Sequence, residues 1–235
     1  MKKVKSLLIL FIVSLIVTCY NYYKDDIYNF LMANVFIEES FKIDELEDYS
    51  GKDYVYINNN VPDFKEEDKT REFEEYGKID YLGRATYAYA NVSKKTMPTK
   101  KRESIGNIKP SGWHTVKYDF IEGKFLYNRC HLIGYQLTAE NANKNNLITC
   151  TRHMNSESML EFENKVASYI KKTNNHVLYK VIPIYDNDNL VAKGVWIEAL
   201  SVEDKGRGIS FSVFIYNVQD GIKINYKNGT SFISK

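Results

Sequence analysis

The sequence predicts an α+β fold, a central antiparallel sheet with one amphipathic helix packed against it. Three observations lead there. The chain carries 19 tyrosines, and aromatic side chains suit half-buried strands. Strand-like runs close it: HVLYKVIPIY (176–185), GVWIEALSV (194–202), ISFSVFIYNV (209–218) and GIKINYK (221–227). Just before them, NSESMLEFENKVASYIKK (155–172) places Met159, Phe162, Val166, Tyr169 and Ile170 at helical spacing.

Each element has its own local reason. The polar linkers DNDN and EDKGRG separate the closing strands, and Ile209, Phe211, Val213 and Ile215 share one face of the third. Asn155 or Ser156 is placed to cap the helix, and Lys171 and Lys172 suit its C-terminal dipole. Leu147–Thr151 is a short strand, and YLGRATYAYANV (81–92) alternates as a strand does. The charge-dense stretch 63–78 is expected as a solvated helix or loop. A basic loop, 94–114, follows, with Pro98 and Pro110 blocking regular structure.

The N-terminus has a separate role. Lys2, Lys3 and Lys5 precede an apolar run from Leu7 to Val17, broken only by Ser14, which is the pattern of an export signal. No A-x-A cleavage site follows, and with Thr18–Tyr23 the segment approaches the length of a minimal membrane span. Residues 1–23 are therefore expected to be a signal-anchor or signal peptide. Residues 24–43 are expected as a connector and 44–235 as the globular domain, exported to the outer face of the membrane or secreted. Thr18 is a poor residue to precede a lipidated Cys19.

Bulk composition excludes several classes. A net charge of +2 gives no global nucleic-acid footprint, so any such surface must be local. The 3 cysteines, Cys19, Cys130 and Cys150, make no disulfide scaffold. No C-x-x-C pair is present for a structural zinc site.

Chemistry concentrates around YNRCHLIGYQLT (127–138). On a strand, Arg129 and His131 project to the same face. Downstream, Glu163 falls on the apolar stripe of the helix, where a carboxylate is costly unless a polar group meets it. A histidine base, an arginine, an amide oxygen and a carboxylate can activate water and hold a hard cation, and Mg²⁺ needs only one or two protein ligands. Asn155 and Glu163 stand roughly 12 Å apart along a helix, so direct binding of one ion by both is awkward. Asn155 as ligand, with Glu163 reaching a metal-bound water, fits better.

NRCHLIGYQLTAENANKNNLITCTRHMN followed by FEN resembles the DNA/RNA non-specific endonuclease family, with its Asp-Arg-Gly-His signature. It is most similar to the exported Gram-positive branch, over about residues 44–230. The resemblance implies a ββα-metal nuclease fold and a Mg²⁺-dependent, sequence-non-specific cleavage of DNA, with RNA as a further substrate and Mn²⁺ as a substitute metal. It implies His131 as general base, Asn155 as the direct metal ligand, Glu163 as partner of metal waters, and Asn146 as guardian of site integrity. Arg129 matches the signature arginine. Arg102, Lys101 and Asn128 are carried over as substrate-binding residues. No obligate protein partner is evident.

The chain departs from the signature twice. Asn128 stands for Asp, which keeps hydrogen bonding but removes charge. Cys130 stands for Gly, which is tolerated on a regular strand but strained at positive φ. A Cys130–Cys150 disulfide across adjacent strands is one open alternative. The competing function is a surface nucleic-acid receptor that kept the fold and lost catalysis.

Overall fold

A computed structural model describes residues 12–24 and 46–234. Residues 12–24 form helix α1, with exposed side chains. Among the described residues no helix is long and apolar enough to cross a membrane. The first 11 residues of the expected export segment, and nearly all of the connector, lie outside the described residues.

Among the described residues ten strands follow: β1 (Tyr54–Tyr56), β2 (Glu74–Tyr76), β3 (Ala88–Val92), β4 (Tyr127–His131), β5 (Leu147–Thr151), β6 (Val177–Ile184), β7 (Gly194–Ser201), β8 (Ser210–Tyr216), β9 (Ile222–Ile224) and β10 (Ser231–Ile233). Two helices separate them, α2 (Tyr135–Thr138) and α3 (Met159–Thr173). The central sheet has six strands in the order β1-β8-β7-β6-β3-β2, and every pairing in it is antiparallel. β4 and β5 form a separate antiparallel ribbon, as do β9 and β10.

The period-two alternation of β6, β7 and β8 gives the sheet two apolar faces. On one face, Tyr179, Val181, Ile197, Val213 and Ile215 pack with the α3 stripe of Phe162, Val166 and Ile170. Fully burying a side chain the size of Phe162 contributes about 1.5–3 kcal/mol. The same cluster takes in Cys130, Ile148 and Cys150, so the β4–β5 ribbon is anchored to the layer that carries α3. On the opposite face, Ile182, Ile184, Trp196 and Phe214 form a second cluster. There the buried Lys180–Glu198 pair, 2.6 Å apart, also receives the Asp63 amide.

Several expected elements change on inspection. The charged stretch 63–78 is a 3-10 turn, Glu66–Thr70, and then edge strand β2, because Glu74–Tyr76 finds β3 as a partner. The strand expected over 81–92 shrinks to Ala88–Val92. Gly83 at φ 79 and the Asp80–Arg84 ion pair at 2.7 Å fold its first half into a turn. Neither Asn155 nor Ser156 caps α3. A π turn, Met154–Ser158, precedes the helix, and Ser158 stands at its N-cap without a side-chain cap bond.

Candidate active site

Tyr127, Arg129 and His131 share one face of β4, and Asn128 and Cys130 share the other. Cys130 is disulfide-bonded to Cys150 with Cα atoms 5.8 Å apart. It does not have a positive φ, so cysteine replaces the signature glycine without backbone strain.

His131 is 6% exposed. Its Nε2 lies 2.8 Å from the carbonyl oxygen of Asn141. A ring nitrogen facing a carbonyl must carry the proton, which leaves the lone pair on Nδ1. Nδ1 is 3.5 Å from Nη2 of Arg102. Burial, helped by the Arg102 charge and opposed by the Asn141 carbonyl, pushes the imidazole down to about 4. His131 is thus a neutral imidazole of fixed tautomer at physiological pH.

Asn155 sits inside the π turn, whose first residue, Met154, donates its backbone N–H to Thr151 Oγ1 at 3.0 Å. Such turns insert a residue into a helical path and so re-aim the side chains they carry. Asn155, His131 and Glu163 line one cavity of about 380 Å³, together with Arg102, Gly134 and Gln136.

Glu163 is nearly buried on α3, at 9% exposure. Gln136 Nε2 donates to its Oε2 at 3.3 Å, and the Gly134 amide also bonds it. Among the described residues no ion pair neutralises it. Burial pushes its carboxyl up to about 7, against the weaker pull of Gln136, Gly134 and Arg102. Gly134 is required here, since a Cβ at that position would stand 2.3 Å from Glu163 Oε2.

Asn146 is fully buried and acts as a pin. Its Nδ2 donates to Ile133 O at 3.0 Å, and its Oδ1 accepts from Ile133 N at 2.9 Å. Its backbone oxygen accepts from Leu132 N at 2.9 Å. These bonds fix the chain leaving His131 and hence the position of Gly134.

The other expected residues separate. Arg102 lines the His131 cavity and a neighbouring one. Arg129 and Asn128 line only the neighbour. The guanidinium of Arg129 donates to the carbonyls of Ile108 and Gly106 and lies 4.0 Å over the Trp113 ring. Lys101 is exposed and lines neither cavity. His114, His153 and His176, read as structural, bond Asn228 O, Asp53 with Glu157, and Glu203. Sequence reasoning missed Asn141, Gly134 and Gln136. The G-Y-Q order of residues 134–136 directly after the histidine strand was the available signal for the last two.

The geometry can be set beside known proteins. A family model described as DNA/RNA non-specific endonuclease matches residues 65–203. The chain belongs to the DNA/RNA non-specific endonuclease family. A deoxyribonuclease of Streptococcus dysgalactiae subsp. equisimilis is 29% identical over 196 residues, 66% of this chain and 59% of its own length. The chain therefore spans about 59% of that relative. NucA from Streptococcus agalactiae, solved with a magnesium ion bound, superposes with a TM-score of 0.71 at 22% identity, covering 84% of this chain and 95% of NucA. Sda1 nuclease with a bound zinc ion superposes at 0.58 with 27% identity, covering 69% of this chain and 82% of Sda1. The fold is thus that of the ββα-metal nucleases, a central antiparallel sheet with the site between ribbon and helix.

The donor set fits a hard divalent cation. Asn155 offers an amide oxygen, and Glu163 is a buried carboxylate without a counter-cation, both facing one cavity. Among the described residues no cluster of three His, Cys, Asp or Glu side chains converges as a cage. Such a donor pair suits a hard cation that keeps several of its waters.

Proposed function

We propose that the chain is an exported, Mg²⁺-dependent endonuclease that hydrolyses phosphodiester bonds of DNA, and of RNA, without sequence specificity. The observation that carries this reading is the meeting of His131, Asn155 and Glu163 in one cavity, with the Nε2 proton of His131 held by Asn141.

His131 Nδ1 takes the proton from the attacking water, and the Asn141 carbonyl stabilises the imidazolium that forms. Arg102, at the mouth shared by two cavities, binds a phosphate oxygen and sets the phosphorus in line with the water. Asn155 would hold the cation and Glu163 would accept from its waters, both lining the same cavity. The bound cation supplies Lewis-acid stabilisation of charge on the phosphate and leaving oxygen. Arg129 serves as a positioning residue, fixing the 106–108 loop. Contacts to phosphate and sugar carry no base identity, which accounts for non-specific cutting.

Two features support export. The basic and apolar N-terminal pattern of residues 1–23 precedes a domain that holds a Cys130–Cys150 disulfide, a bond that persists in oxidising compartments. Two proteins of similar fold are an extracellular endonuclease and an extracellular nuclease. The nuclease unit is the 44–235 region, tethered or released by the N-terminal segment.

Supercoiled plasmid incubated with the protein tests the reading. Nicked, then linear, then smeared DNA in Mg²⁺, and intact plasmid with EDTA, is the expected result. Bound but uncut plasmid in Mg²⁺ would point to a receptor instead.

A further inference from the structure

A second cavity of about 420 Å³ adjoins the catalytic one. Arg102 and Asn155 line both, so the two lie side by side. The remaining wall of the second includes Trp113, Phe125, Tyr127 and Asn128. Its volume lies in the range of about 300–1,000 Å³ that small organic groups occupy.

Three features give it the character of a ligand site. Phe125 stays 44% exposed, with Lys117 Nζ 4.5 Å from the centre of its ring. Trp113 is held in place by the Arg129 guanidinium, itself fixed to two loop carbonyls, so the ring is set before any ligand arrives. Asn128 adds a polar side chain to the aromatic wall.

We infer that this cavity takes an unpaired nucleobase, that of the nucleotide next to the phosphate held by Arg102. The inference rests on the nuclease reading above. Aromatic rings stack on any base without reading its identity. In a duplex, base faces are covered by their neighbours, and exposing one costs unstacking and unpairing. The enzyme therefore favours single strands, or unpaired nucleotides in a duplex, over intact duplex.

The test uses the His131→Ala protein in Mg²⁺, with cutting slowed about 10²–10⁴-fold so that binding can be read. It is titrated with a single-stranded oligothymidylate and with a duplex of the same length, reading anisotropy of labelled DNA and tryptophan emission. The chain has 2 tryptophans, and Trp196 is 1% exposed in the sheet, so ligand-dependent quenching reports Trp113. The expected result is quenching by the single strand, at least fivefold tighter binding of it than of duplex, and loss of that preference in His131→Ala/Phe125→Ala. Phe125 is surface-exposed, so its replacement leaves the fold intact. In the active enzyme, Phe125→Ala should raise KM for single strands about five- to tenfold. Equal binding of both forms, unquenched and insensitive to Phe125→Ala, would overturn the inference and leave the nuclease reading standing. If the unmutated protein neither binds nor cuts any DNA, the nuclease reading fails first and the inference with it.

Discussion

The Nε2 of His131 and the backbone oxygen of Asn141 stand 2.8 Å apart, and this contact fixes which nitrogen of the ring can accept a proton. The chain between them turns through Ala139 at φ 56, so the tautomer of the proposed base is set by the path of the backbone. A substitution cannot delete a carbonyl, but it can move it.

The imidazole should stay neutral well below its ordinary range. With its proton affinity lowered to about 4, His131 remains a competent base throughout the neutral region. At saturating Mg²⁺, which holds Glu163 in its carboxylate form, the acid limb of a kcat/KM profile should therefore fall below pH 6.5. NMR of the His131 ring through pH 7 to 4, showing a neutral Nε2–H tautomer, checks the assignment. An imidazolium at pH 6.5 would refute it.

Glu163 gives a stability effect of the opposite sign. Its folded carboxyl titrates near 7, above the ordinary 4.5, so metal-free protein loses stability as pH rises from 4.5 through 7. His131, depressed from 6.5 to about 4, contributes stability that is full above 6.5 and falls away below it. Between about 4.5 and 6.5 the two slopes oppose each other. Glu163→Gln removes only the first. In EDTA its Tm should exceed that of the unmutated protein at pH 8 and match it at pH 4.5. An equal difference at both values would show that Glu163 does not titrate as described.

Mg²⁺ affinity should follow the same proton. A cation whose waters are held by Glu163 needs the carboxylate form, so binding should tighten between pH 6 and 8 and release a proton in the lower half of that range. Calorimetry in buffers of different ionisation enthalpy measures that release. Glu163→Gln should bind Mg²⁺ more weakly and lose the pH dependence.

Gly134→Ala should disable the site without unfolding the domain. The new Cβ would meet Glu163 Oε2 at 2.3 Å, and the carboxylate is the part that can move. A fall in activity of tenfold or more, with weakened Mg²⁺ binding and a Tm change of only a few degrees, is expected. Asn146→Ala contrasts with it. It leaves Ile133 N–H and C=O unpaired in a buried site and should cost about 2–4 kcal/mol in urea denaturation.

Much of the site was legible because chemistry conflicted with pattern. A carboxylate on the α3 stripe and a histidine beside an arginine on a strand are both costly without a purpose, and both line or border the site. The long strands β6, β7 and β8 were legible from burial alone. Edge strands β1, β2 and β10, each of 3 residues, show no alternation, because edge pairing depends on a distant partner. The π turn around Asn155 was hidden for a similar reason, since the side chain of Thr151 organises its start. Asn141 contributes only a carbonyl, which every residue has, so no sequence signal could select it.

Chemical rescue of His131→Ala tests the central claim most directly. Plasmid cleavage in Mg²⁺ should fall about 10²–10⁴-fold in the variant, the usual contribution of a general base. Added imidazole should restore part of the rate, with a dependence on its neutral form. Cleavage by His131→Ala at the rate of the unmutated protein would contradict the account, because the proton from water would then be leaving by another route.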